Sequence, residues 1–236
     1  MAKQPCPKTF IFDVDSTLLD IETLDELIRL EFERRKSPDE EIQRVMAEIR
    51  AITERGMNGD IPFAQSLEER LRVARIHSST VRLLRALLLN HTTRGMKPII
   101  SMIHGRRHQV LALSGGFFNY MFPALEYELG IDRYDIVANG LMYDKERYVC
   151  GVDPRPLLLQ NHGKALAVED LRRQNRIQGP AYMIGDGYTD LETYTHGAVD
   201  DFLGFGIHAV HDTVQDLSPY YATTMNQVYE WIEERL

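Results

Sequence analysis

Asp13 and Asp15 stand two residues apart at the end of "TFIFDV", a short apolar run rich in aromatic residues. Taking a charge out of water is expensive, so two carboxylates closing a buried strand call for a chemical reason. Asp186 and Asp190 follow a second apolar run, "AYMI", within "GDGYTD". Four carboxylates gathered in one small volume would repel one another unless a cation sat among them. Hard oxygen donors suit Mg²⁺, which keeps several waters and also takes phosphate oxygens. The remaining residues suit an anion. Ser114 offers a hydroxyl, and Gly115 and Gly116 are expected to expose backbone N–H groups near a helix start. Lys164 falls in the first turn of an expected helix, where a cation opposes the helix dipole by roughly 0.3–1 kcal/mol. A phosphate would hold it there. A metal cage, a donor cradle and a lysine are the parts of a phosphoryl-transfer site.

Those residues need elements to bring them together. Residues 9–14, "QVLALS" at 109–114 and "AYMI" at 181–184 read as buried strands, each running into a polar, glycine-bearing loop. "DFLGFGI" reads as a fourth strand, and 134–150 as a strand pair or hairpin. Between Asp20 and about Leu89 the apolar period changes to that of a helix, as in Ile42, Val45, Met46, Ile49 and Ile52. Ser37 is a candidate N-cap there, with acids in the following turn. "RGMNGDIPF" interrupts the run with two glycines and a proline. "NHGKALAVEDLRRQ" and the C-terminal "MNQVYEWIEERL" read as helices. Strands alternating with helices predict an α/β fold with a doubly wound, Rossmann-like parallel sheet. The division expected is a core of residues 1–19 and 89–236 with a helical cap, residues 20–88, inserted after the first strand. Reactive loops in such sheets lie past the carboxyl ends of the strands.

The 236 residues carry 35 acidic and 27 basic side chains, a net charge of −8, and show no basic run beyond pairs. That balance argues against a nucleic-acid partner; "HGRRH" at 104–108, the densest basic spot, reads as a solvated loop. Cys6 and Cys150 have neither disulfide-framework nor zinc spacing, and free thiols fit a reducing compartment. With no apolar signal core and no stretch approaching a membrane span, a cytoplasmic protein is expected. His104, His108, His196, His208 and His211 show no HxH or HExxH spacing and read as surface or packing residues.

"DVDST", "LSGG", "GK" and "GDGYTD", in that order, resemble the motif series of the haloacid dehalogenase superfamily of phosphatases. The resemblance implies that Asp13 is the nucleophile, forming an aspartyl-phosphate, and that Asp15 protonates the leaving oxygen and later activates water. It implies Mg²⁺ held by the Asp13 side chain, the Asp15 carbonyl and Asp186, with Asp190 orienting the metal shell. Ser114, Gly115, Gly116 and Lys164 would bind phosphate. "DVDSTLLDIETLDEL" and "GMNGDIPFAQSLEERL" are further similar to the phosphoserine phosphatase group. There Glu22 would meet a substrate ammonium and Arg70 its carboxylate, with Met57 and Phe63 on the same wall. Thr189 takes a substrate-site position often held by asparagine, and His211 stands where some members carry arginine. The expected substrate is phosphoserine; another phospho-amino acid or a nucleotide, transfer to an alcohol, and a non-catalytic Mg²⁺/phosphate-binding module are the alternatives.

Overall fold

The computed structural model describes residues 6–57, 60–153 and 157–236. β1 (Thr9–Phe12) is buried along its whole length. Successive side chains leave opposite faces of a strand. Accordingly Phe10 and Phe12 enter one core cluster and Ile11 the other. Full burial of each such side chain is worth about 1.5–3 kcal/mol. That is why a strand covered on both faces reads as one continuous apolar run. β2 (Gln109–Phe117) and β3 (Ile136–Asn139) extend the sheet on one side of β1. On the other side lie β6 (Ala181–Gly185), β7 (Asp201–Phe205) and β8 (Tyr220–Ala222). The order is β3-β2-β1-β6-β7-β8, with every pairing parallel.

One face is covered by α5 (Met96–Gly105), α6 (Phe118–Pro123) and α10 (Met225–Glu233). α7 (Gly163–Arg173), α8 (Tyr188–Thr195) and α9 (Asp212–Leu217) cover the other. This is the doubly wound α/β core. The chain leaves β1 toward β2 on one side and reaches β6 on the other, so strand order reverses at β1. The crevice past the carboxyl ends of β1 and β6 is therefore where a ligand site belongs.

Four helices are inserted between β1 and α5: α1 (Thr23–Arg35), α2 (Asp39–Met57), α3 (Phe63–Ala74) and α4 (Ser78–Leu87). Their apolar faces join the sheet's own core, with Phe32, Ile49, Leu67 and Leu71 in the same cluster as Phe10 and Phe12. α1 and α4 are tied together by Glu31, which is fully buried. Its carboxylate accepts from Arg34 Nη2 at 2.6 Å, Arg35 Nε at 2.7 Å, the His77 N–H at 3.0 Å and the Thr80 hydroxyl. A buried carboxylate is stable only when its oxygens are satisfied in this way. Where the chain enters and leaves the insert, Leu19 bridges Thr92, and Thr93 Oγ1 donates to the Thr17 carbonyl at 2.6 Å.

Two local readings are corrected. The segment 134–150 is not one strand pair: its first part is β3 of the main sheet. The hairpin is formed by β4 (Leu141–Tyr143) and β5 (Val149–Val152), which packs against α3. Turn residues on both sides of "GLMY" hid that β3 belongs to a different sheet. Ser37 is not the N-cap of α2, because the first-turn amides of Glu41 and Ile42 reach the Pro38 carbonyl. Ser37 instead closes α1, its N–H donating to the Phe32 carbonyl at 3.1 Å. Among the described residues no helix is long and apolar enough to cross a membrane.

Candidate active site

Past β1 the chain turns back within "DVDST": the Leu19 N–H reaches the Val14 carbonyl at 2.8 Å. Ser16 takes the left-handed conformation, φ 53°, at the tip of that turn. An L-residue adopts it only when its surroundings hold it there. The Ser16 hydroxyl donates to Glu22 Oε1 at 2.6 Å, and its N–H to the Ile21 carbonyl at 3.3 Å. The turn leaves Asp13 buried at the strand end and Asp15 partly buried beside the start of α1.

Asp13, Asp186 and Asp190 converge, with one carboxylate oxygen from each inside a sphere of contacts no wider than 4.8 Å. All three are buried. Asp190 can lie so close to β6 because residue 185 is glycine. A Cβ there would sit 2.4 Å from Asp190 Cγ. Lys164 Nζ donates to Asp13 Oδ1 and to Asp190 Oδ1, both at 2.6 Å. Gly163 brings it in: a Cβ at 163 would sit 2.7 Å from the Leu157 carbonyl oxygen. Burial opposes the charge on Lys164, but the two carboxylates more than offset it and raise its pKa. Asp186 is held by the Thr17 hydroxyl at 3.3 Å and approached by His211 Nε2 at 3.4 Å. Burial first, then Asp13, pushes the pKa values of Asp186 and Asp190 up. One lysine among three buried carboxylates leaves negative charge uncompensated, and every free donor is a hard oxygen. The set fits a divalent cation of the Mg²⁺ kind.

Asp15 is set apart from that cluster. Its Oδ1 accepts the Thr23 N–H at 2.9 Å. Burial, then Glu22, then Asp13 push its pKa up to about 7. It therefore carries a proton near neutrality, while Asp13 beside it is bonded to Lys164. This is the pattern of an acid beside a nucleophile.

The third loop follows β2. Ser114 is buried. Contrary to the expectation of an exposed donor, the Gly116 N–H is already engaged: it donates to Ser114 Oγ at 2.9 Å. The reason is local geometry: β2 continues to Phe117, and the following helix starts only at Phe118. Gly116 matters sterically instead, since a Cβ there would sit 3.1 Å from Asp15 Oδ2 and 2.9 Å from Met121 Cε. Asn139 Nδ2 donates to the Gly115 carbonyl at 2.7 Å and fixes that peptide.

Two charged residues approach from the insert: Glu22 lies in the field of Asp13 and Asp15, and Arg70 in that of Tyr120. Glu22 is open to solvent as a residue. Desolvation around its carboxyl, reinforced by Asp13 and Asp25, still raises its pKa against the opposing pull of the Ser16 hydrogen bond and His211. Arg70 is half-buried, and the electrostatic partners it feels are Asp25 and Tyr120. Tyr120 is fully buried, hydrogen-bonded to Thr23 Oγ1 at 2.9 Å, and feels Asp15 and Glu22. Arg70, Tyr120, Glu22 and Asp15 thus form one neighbourhood. Thr189 is exposed on the first turn of α8, at the rim. The side chains of Met57 and Phe63 lie outside the described residues.

Sequence reasoning missed Tyr120 and Asn139, which carry no local signal. It also set His211 aside as surface or packing; the structure puts its ring against Asp186 and within the field of Glu22. Its place across from "DVDST" depends on the sheet, not on spacing.

A haloacid dehalogenase-like hydrolase family profile matches residues 10–194. The phosphoserine phosphatase of Homo sapiens is 29% identical over 223 residues, covering 94% of this chain and 92% of that protein. A solved phosphoserine phosphohydrolase-like protein from Francisella tularensis superposes with a TM-score of 0.80 at 29% identity, covering 95% of this chain and 99% of that one. A substrate-bound phosphoserine phosphatase complex shares the fold, with a TM-score of 0.75 at 21% identity over 97% of this chain and 99% of that chain.

Proposed function

We propose that this chain, which belongs to the haloacid dehalogenase-like hydrolases, hydrolyses O-phospho-L-serine to serine and phosphate through an aspartyl-phosphate on Asp13. That it is a phosphoric monoester hydrolase related to the phosphoserine phosphatases follows from the family and the near full-length relatives. The substrate is the reading added here. The observation that carries it is that Glu22 and Arg70 share the neighbourhood of Tyr120, with Glu22 also in the field of Asp15. A carboxylate and a guanidinium there match the ammonium and carboxylate of a phospho-amino acid, the latter through two parallel hydrogen bonds.

In this mechanism the Asp13 oxygen not bonded to Lys164 attacks phosphorus. The P–O bond to the serine oxygen breaks as Asp15 gives that oxygen its proton. Asp15, now ionised, takes a proton from water. The resulting hydroxide attacks phosphorus, the Asp13–phosphate bond breaks, and phosphate leaves with Asp13 restored. Lys164 and Ser114 line the space for the phosphoryl oxygens, and Lys164 also holds Asp13 in place. Mg²⁺, held by Asp13, Asp186 and the Asp15 carbonyl with Asp190 behind them, would neutralise charge on the transferring phosphoryl group. The site's acid–base residues do not depend on the identity of the ester, so chemistry and specificity are separable. Cytoplasmic location and action on a free small metabolite belong to the same proposal.

Phosphate release from a panel of small phosphate esters tests it, with Mg²⁺ and with EDTA. Phosphoserine should lead the panel by more than about tenfold, roughly 1.4 kcal/mol in the transition state, and EDTA should stop turnover. A flat panel, or one led by a nucleotide or sugar phosphate, removes the phosphoserine assignment.

A further inference from the structure

Away from the carboxylates, α4, α6 and the β4–β5 hairpin line an open cleft of about 450 Å³. That volume is in the range of small-ligand pockets. Its charge is opposite to that of the catalytic floor: Arg82 and Arg85 line it from α4 and Arg147 from the hairpin turn. None of these three guanidiniums forms an ion pair among the described residues. A single carboxylate, Asp144, shares the cleft, and its Oδ1 accepts the N–H groups of Glu146 and Tyr148 at 2.9 and 2.8 Å. It is a turn cap, not a partner for the arginines.

Arg85 is pre-positioned. Nε and Nη2 donate to the Asn119 carbonyl at 3.2 and 2.6 Å, and the guanidinium lies 5.1 Å from the centre of the Phe122 ring. Its other donors have no protein acceptor among the described residues. The Tyr143 hydroxyl lies in the field of both Arg85 and Arg82. At the foot of the cleft Ser78 Oγ is shielded from solvent and has no hydrogen-bond partner among the described residues. An orphaned buried hydroxyl is unusual in a folded protein, because its lost water is not replaced. The amides of Ser78, Ser79 and Thr80 are already bonded, to Arg147 O, His77 Nδ1 and His77 O. The available donors are therefore side chains: three guanidiniums, a tyrosine hydroxyl and a serine hydroxyl.

We propose that this cleft is a second binding site, for a compact phosphate-bearing metabolite of two or more negative charges, separate from the catalytic carboxylates. Planar guanidiniums converging from two elements recognise tetrahedral oxyanions bidentately. The catalytic floor, crowded with carboxylates, resists an anion when no metal is present. The two sites are therefore separable in metal-stripped protein.

The test is calorimetric titration of inorganic phosphate into the full chain freed of metal on a chelating resin, at constant ionic strength. One saturable site per chain is expected, tighter than about 10 mM. It should weaken at least tenfold in Arg82→Ala/Arg147→Ala and remain in Ser114→Ala. Both arginines are exposed, so the double variant should melt with the wild type and keep its basal turnover. Absence of saturable binding, persistence of binding in the arginine variant, or its loss in Ser114→Ala would each overturn the proposal.

Discussion

At the ends of β1 and β6 the carboxylates have fixed neighbours: Lys164 bridges Asp13 and Asp190, and Thr17 holds Asp186. On the facing insert, Glu22 has Ser16, while Arg70 has one long bond, 3.4 Å, to the Ser66 carbonyl. The floor is buried and nearly closed as a network; the wall is open and keeps donors and acceptors in hand. A group that performs chemistry must be positioned before substrate arrives. A group that recognises substrate must leave hydrogen-bonding capacity free for it. In the proposed mechanism the floor carries the reaction and the wall chooses the substrate, a division that can be broken at several points.

The largest effect should come from Lys164. Lys164→Met leaves buried Asp13 and Asp190 without their cation, which should destabilise the metal-free protein by about 3–5 kcal/mol. Urea unfolding reads this, and added Mg²⁺ should recover part of the loss. An unchanged midpoint would show that the floor is not a coupled network. Asp13→Asn should cut phosphate release to below about 1% of wild type, roughly 2.7 kcal/mol, with its melting temperature nearly unchanged. Residual turnover above that level would remove Asp13 as nucleophile.

The wall should respond more selectively. Glu22→Gln and Arg70→Ala should each lower kcat/KM for phosphoserine about ten- to a hundredfold, 1.4–2.7 kcal/mol, and that for an aryl phosphate far less. Equal losses on both substrates would place these residues in the chemistry or the fold. The pH profile separates floor from leaving group. Asp15 is protonated below its raised pKa of about 7 and ionised above it, so hydrolysis of a serine ester should fall, approaching about tenfold per unit, as pH rises past that point. An aryl phosphate, whose leaving group needs no proton, should decline less. Stability carries the same sign. The folded protein keeps the Asp15 proton from the ordinary carboxyl value of 3.8 up to about 7, whereas the unfolded chain releases it near 3.8. The stabilisation is therefore fully present below 3.8 and is lost as pH climbs to about 7. The smallest effect is expected at the rim, where Thr189→Asn should change kcat/KM less than about threefold, under 1 kcal/mol.

The same contrast explains what could be read from the chain alone. The floor was legible because each of its residues sits within a few positions of a strand end, in "DVDST", "LSGG", "GK" and "GDGYTD". Buried strands announce themselves by continuous apolar runs, so the loops after them could be placed together before any coordinates. β8 escaped because three residues, only one of them buried, give too little pattern. Tyr120, Asn139 and His211 escaped for a different reason. Each reaches its partner over a long separation, 97, 24 and 25 residues, and for His211 the resemblance marked the position but not its place against Asp186. The Gly116 amide shows the limit of motif reasoning even inside a motif, since its N–H turns to Ser114 and not outward.

The central claim is that the phosphoryl group passes through Asp13. Acid quenching of the enzyme during turnover of phosphoserine with Mg²⁺, followed by mass spectrometry of its peptides, tests it most directly. The account predicts one added phosphoryl group, on the peptide containing Asp13, absent in Asp13→Asn. Phosphorylation of any other residue, or an equal signal in that variant, would contradict it.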